Sequence, residues 1–195
     1  MDLCLEPDAV CYVSVDVETA GPSPAIYSLL AIGACLVFNP AQHFYVELQP
    51  LSMASAPEAA EVHRLSLERL AIEGLPPAEA MARFANWLKS AIPQGKHPLF
   101  VGFNAAFDWM FVNDYFHRFL GHNPFGHAPL DVKSFYMGMS GGQWCDTSMR
   151  RLALRYLGGR QLAHHALEDA LIQAELFRKL LADSRAHRRV RDGAP

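Results

Sequence analysis

No run of apolar residues in this chain approaches the roughly 18 that a membrane-spanning helix needs. The N-terminus, MDLCLEPDAV, lacks a basic stretch leading into an apolar one, so no signal peptide is expected. Cysteine is sparse: Cys4, Cys11, Cys35 and Cys145 show neither CxxC nor CxxH spacing. That argues against a zinc site or a disulfide framework and predicts a reducing, cytoplasmic setting. Positive charge is short as well. Seventeen Lys and Arg against twenty Asp and Glu leave a net charge of −3, which disfavours a broad basic face for long duplexes. A nucleic-acid enzyme is still allowed, because carboxylates gathered around divalent cations lower the formal charge where phosphate must sit. Internal repeats, low-complexity blocks and linkers are absent.

What remains is an ordinary globular composition, 51% hydrophobic over 195 residues, enough for one domain with a sizeable core. Residues 10–18 (VCYVSVDVE) read as a strand buried on both faces, 28–38 (SLLAIGACLVF) as a second and 44–48 (FYVEL) as a third. The period then changes to helical, with a short patch around Leu65–Leu70 and a clearer helix ending before Pro93. A short strand at 98–103 leads into a helix over 104–120. Leu130 and Val132 suggest another strand, and helices near 147–157 and 165–182 close the pattern. Strands first, then mixed β and α, predict an α/β fold: a central mixed five-stranded sheet flanked by helices. Residues 1–184 are expected to form one domain, and 185–195 a short, frayed basic tail.

Five residues stand out against this background. Asp16 and Glu18 are two apart on the first strand, so both side chains point to one face with Cα atoms roughly 6.5–7 Å apart. Val15 and Val17 point to the other face, into the core. Two acids fraying into solvent at a strand end is the plainer alternative. Asp108 lies in the middle of the apolar arc of its helix, whereas Asp114 falls at about 240° beside Arg118, on the solvent side. The last helix repeats the pattern: Asp169 lies among Ala166, Ala170, Ile172 and Leu176. Glu168, at about 260°, shares a face with the Glu175–Lys179 pair. Lone carboxylates in apolar settings are costly and need a common cation. His164 and His165 precede the last helix, and periodicity does not separate them; either is a suitable proton acceptor near neutral pH or a plain structural histidine. Asn104 reads first as a helix N-cap, with a substrate contact as its alternative role.

Taken in order, D-x-E-T (Asp16, Glu18, Thr19), N-x-x-F-D (Asn104, Phe107, Asp108) and H-x4-D (His164, Asp169) resemble the motifs of the DEDDh, DnaQ-like 3′–5′ exonuclease superfamily. The segment VHRLSLERL…AMARFANWL is similar to that of bacterial polymerase proofreading subunits, and LDVKSFYMG to oligoribonucleases; the likeness spans about residues 10–181. It implies a ribonuclease H-like fold and selects His164 over His165 as general base. It also implies two Mg²⁺ or Mn²⁺ ions on Asp16, Glu18, Asp108 and Asp169, and substrate contacts at Thr19, His63, Asn104 and Phe107. The implied reaction removes nucleoside 5′-monophosphates from the 3′ ends of single-stranded DNA or RNA or short oligonucleotides. Some branches of the family dimerise. Ala20-Gly21 departs from the family's more usual Thr/Ser-Gly, and the short C-terminus favours a stand-alone trimming enzyme. Asp131 is expected to be a structural hydrogen-bonding acid. The competing reading is a catalytically silent nucleic-acid-binding or adaptor domain of the same fold.

Overall fold

The computed structural model describes residues 9–57 and 65–191. Five strands form one mixed sheet: β1 (Val10–Thr19), β2 (Leu29–Leu36), β3 (Asn39–Glu47), β4 (His97–Gly102) and β5 (Leu130–Asp131). Their order is β3-β2-β1-β4-β5, with β1–β2 and β2–β3 antiparallel and β1–β4 and β4–β5 parallel. Six helices flank it among the described residues: α1 (Leu67–Glu73), α2 (Pro77–Ala91), α3 (Ala105–Leu120), α4 (Val132–Ser140), α5 (Met149–Tyr156) and α6 (Ala166–Arg191). This is the expected ribonuclease H-like architecture.

Alternation along β1 divides the core in two. Val13, Val15 and Val17 pack with Phe84 of α2 and Phe111, Val112 and Phe116 of α3 on one face. On the other face, Tyr12 joins Val132, Leu152, Leu176 and Phe177 from α4, α5 and α6. Each β1 residue therefore belongs to one layer or the other by its parity, and Asp16 and Glu18 share the parity of the α6 side.

Three elements differ from expectation. Val132 starts α4 and ends no strand: the Asp131 carboxylate accepts the Ser134 N–H at 2.7 Å and turns the chain into a helix straight after a two-residue strand. β3 begins at Asn39, well before Phe44, because the turn out of β2 is tight. The final helix runs on to Arg191, past the predicted end near 182 and into the segment expected to fray.

Candidate active site

The site is made where strand pairing stops. β1 and β4 pair from Val10↔His97 to Ser14↔Val101, and beyond that β1 has no partner on that side because β4 gives way to α3. Asp108, on the first turn of α3, covers the open edge: its Oδ1 accepts the Val17 N–H at 3.0 Å. Asp16 and Glu18, flanking Val17, turn toward α6. There the second strand matters. Asp16 pairs with Gly33, and a Cβ built on Gly33 would lie 2.1 Å from the Ala166 carbonyl carbon. Only glycine lets the start of α6 come this close to the sheet, which is what carries Asp169 to the acids of β1.

Oxygens of Asp16, Glu18 and Asp169 all lie within 4.8 Å of one another, a spacing that could hold a metal ion. Asp108, Thr19, Asn104, Phe107 and His164 line the same cavity, of about 540 Å³, together with Gly21, Phe103 and Leu162. Every expected site residue therefore converges here except His63, which lies outside the described residues. None of the four acids pairs with a lysine or arginine among the described residues. The plainer reading of two solvated acids at a strand end does not fit, since Glu18 is buried and Asp16 is half-buried, and the helical acids Asp108 and Asp169 beside them are buried too.

Crowding of unneutralised acids shows in their protonation. Burial, then the proximity of Asp108, Asp169 and Glu18, holds the Asp16 carboxyl well above its usual range, against a hydrogen bond from Gln173. Burial and Asp169 push Glu18 up to about 7. Burial chiefly pushes Asp108 up to about 8, opposed by the Val17 N–H. Asp169 is raised, again first by burial, although it accepts from the N–H groups of Ala163 (2.6 Å) and His164 (2.9 Å). A divalent cation would favour the ionised carboxylates and so oppose these shifts, and the donor set, all hard carboxylate oxygen, fits Mg²⁺ or Mn²⁺.

His164 and His165 part company in the structure. His164 is exposed, left-handed (φ 58°) and faces the cavity; its backbone is fixed by Asp169. His165 stacks on Tyr45 with ring centroids 4.8 Å apart and is not among the residues that line the cavity. Asn104 corrects an expectation. It occupies the N-cap position of α3 but is left-handed (φ 65°), and its side chain caps nothing. An N-cap needs extended backbone; here the Asp131 carboxylate accepts the Ala105 N–H at 2.8 Å instead, leaving the Asn104 amide to the cavity. Asp131 is thus the structural acid expected, serving α3 and α4 at once. The Thr19 hydroxyl donates to the Gly21 carbonyl at 3.0 Å.

One contributor escaped the sequence reading. Gln173 is fully buried, donates from Nε2 to Asp16 Oδ1, and accepts the Phe103 N–H at 2.8 Å. It ties Asp16 to the residue that follows β4. Set Asp169 at zero on the helical wheel and Gln173 falls at about 40°, inside the apolar arc. Gln173 is thus a polar residue on the buried face of the helix, as Asp169 is.

A ribonuclease H-like sheet with a carboxylate cluster at the end of its central strand is an arrangement suited to a nuclease. The exonuclease family model matches residues 13–177. The chain is 48% identical to the 3′-5′ DNA exonuclease Cap18 of Escherichia coli over 174 residues, covering 89% of this chain and 93% of the relative. The chain belongs to this family, the DEDDh 3′–5′ exonucleases. Solved structures share the fold. The nuclease domain of 3′hExo, a DEDDh family member bound to rAMP, superposes with a TM-score of 0.73 at 10% identity, covering 92% of this chain and 95% of that one. Escherichia coli exonuclease I in complex with a dT13 oligonucleotide superposes with a TM-score of 0.70 at 18% identity, covering 92% of this chain and 42% of that one.

Proposed function

We propose that this exonuclease shortens single-stranded DNA from the 3′ end and releases nucleoside 5′-monophosphates, using two divalent cations held by Asp16, Glu18, Asp108 and Asp169. The observation that carries the reading is the cluster of Asp16, Glu18 and Asp169 oxygens within 4.8 Å, next to Asp108 and without an ion pair to lysine or arginine among the described residues. When bound, Mg²⁺ or Mn²⁺ supplies positive charge against the phosphate and promotes ionisation of the attacking water. DNA as substrate is supported by the identity to a relative named as a DNA exonuclease.

The chain's own groups do the rest. Phe107, packed on Phe111 with centroids 5.6 Å apart, offers a held aromatic face to the terminal base, and Asn104 a free amide to the terminal nucleotide. The hydroxyl of Thr19 has its proton committed to Gly21, so it meets a sugar hydroxyl as an acceptor. His164 takes a proton from the attacking water while the water oxygen forms its bond to phosphorus and the bond from phosphorus to the 3′-oxygen breaks. The shortened strand leaves with a 3′-hydroxyl and the departing nucleotide with a 5′-phosphate. Asp169 fixes the loop carrying His164 through two backbone hydrogen bonds, so a single acid serves metal and base alike.

We read residues 1–184 as one exonuclease domain, supported by the single sheet that both apolar clusters share, and the setting as the reducing cytoplasm, supported by free thiols at Cys11, Cys35 and Cys145. No helix among the described residues is long and apolar enough to cross a membrane. Digestion of 5′-labelled DNA and RNA oligonucleotides tests the proposal. A ladder receding from the 3′ end of DNA in Mg²⁺ or Mn²⁺, lost in EDTA and in Asp16→Asn, is expected. Undiminished cleavage by Asp16→Asn would overturn it.

A further inference from the structure

A strand whose terminal nucleotide occupies the cavity must leave it somewhere. The described part of one rim is Gly21, Pro22 and Ala56, which offers neither a cation nor an aromatic ring. The other rim is different. β4 and β5 are parallel, so the segments that follow them, one starting at Phe103 and the other carrying Lys133 in the first turn of α4, emerge at the same end of the sheet. Phe103 lines the cavity. The Lys133 ammonium lies 5.9 Å from the centre of the Phe103 ring and 4.1 Å from that of Trp144. The three side chains form a continuous run from the cavity to the surface.

Trp144 has no packing reason to be where it is. It is 53% exposed, in a chain whose large side chains are mostly buried. Its short 3-10 turn (Trp144–Thr147) is nevertheless firmly held. The Thr147 hydroxyl donates to the Trp144 carbonyl at 2.8 Å, the Gln143 N–H donates to the Asp146 carboxylate at 3.0 Å, and Asp146 pairs with Arg151. A rigidly presented, exposed indole beside an ammonium that no carboxylate neutralises among the described residues combines the two things a single strand needs. One is a flat face for a base; the other is a positive charge for the phosphate beside it.

We propose that Phe103, Lys133 and Trp144 form a subsite for the single strand upstream of the scissile nucleotide, with a base stacked on Trp144 and a phosphate held by Lys133. This rests on the exonuclease reading above, and its occupant is single-stranded nucleic acid. Its role is to hold the strand between cuts, so it acts on affinity for long substrates and leaves chemistry on the last nucleotide to the acids.

Two measurements test it. In EDTA, hexathymidylate is expected to quench the tryptophan fluorescence of the wild type, and the quench to disappear in Trp144→Phe, with its melting temperature checked against the wild type. In Mn²⁺, the kcat/KM ratio for hexathymidylate over the p-nitrophenyl ester of thymidine 5′-monophosphate, which has no upstream strand, is expected to fall in Trp144→Ala and Lys133→Ala. The fall is about tenfold each, the order of one lost base stack or phosphate contact. An identical quench in Trp144→Phe, or an unaltered ratio in both alanine variants, overturns the subsite. Failure of the wild type to hydrolyse either substrate overturns the exonuclease reading instead, and the quench still decides whether the strand binds at Trp144.

Discussion

Asn104 and His164 are the only non-glycine residues among those described with a positive φ, and both line the catalytic cavity. Left-handed backbone costs an ordinary residue about 1–2 kcal/mol, less for asparagine, so its appearance twice at one site reflects what the site demands. Asn104→Gly keeps the conformation, and its stability is expected to stay within about 1 kcal/mol of wild type by denaturant unfolding. Its kcat/KM on single-stranded DNA is expected to drop at least tenfold, because the amide facing the substrate is gone. Gln173 makes a sharper case. In Gln173→Leu the Phe103 N–H loses its acceptor, at a cost of about 1–3 kcal/mol, and Asp16 loses the donor that orients it. Mn²⁺ affinity measured by calorimetry is expected to weaken roughly tenfold, beyond what the same loss of stability causes at a distant site. Unaltered affinity would reduce Gln173 to a core residue.

At the scale of elements, the close packing of α6 on β2 does the assembling. Gly33→Ala places a methyl group about 2 Å from the Ala166 backbone, so the helix start must move away from the sheet. Displacement of Asp169 follows, and calorimetry is expected to show loss of Mn²⁺ binding even where circular dichroism retains the helical signal. Much of this layout was legible beforehand. Strict alternation placed Asp16 and Glu18 on one face of β1, and the helical wheel buried Asp108 and Asp169 while leaving Asp114 and Glu175 to pair with Arg118 at 3.0 Å and Lys179 at 2.7 Å. Other features were not legible, because they depend on contacts distant in sequence. Asn104 looks like a cap until Asp131, 26 residues beyond Ala105, takes that duty. Val132 looks like strand until the same carboxylate starts a helix. The role of Gly33 appears only once α6 is laid across it.

For the whole molecule, the raised acids make stability depend on pH and metal together. A carboxyl held higher in the fold than in the unfolded chain favours the native state while protonated; that support is complete below the unfolded value, near 4, and lost as pH rises through the folded one. With Glu18 at about 7 and Asp108 at about 8, the metal-free protein is expected to lose stability between about pH 4 and pH 8. Melting temperature measured in EDTA should therefore decline from pH 5 to pH 8. Added Mn²⁺ should raise it far more at pH 8 than at pH 5. Asp16→Asn, which removes one of the crowded charges, should melt higher than the wild type in EDTA at pH 8. A melting temperature indifferent to both pH and Mn²⁺ would mean that the acids are solvated after all.

Asp108 arrives from the layer on one side of the sheet and Asp169 from the layer on the other, and they meet only at the unpaired end of β1. Neither half of the molecule holds the complete set of acids. The ability to cut is thus an emergent property of the finished fold: a nascent chain that has not yet delivered and docked its last helix lacks a complete set of acids and is expected to be inert towards nucleic acid.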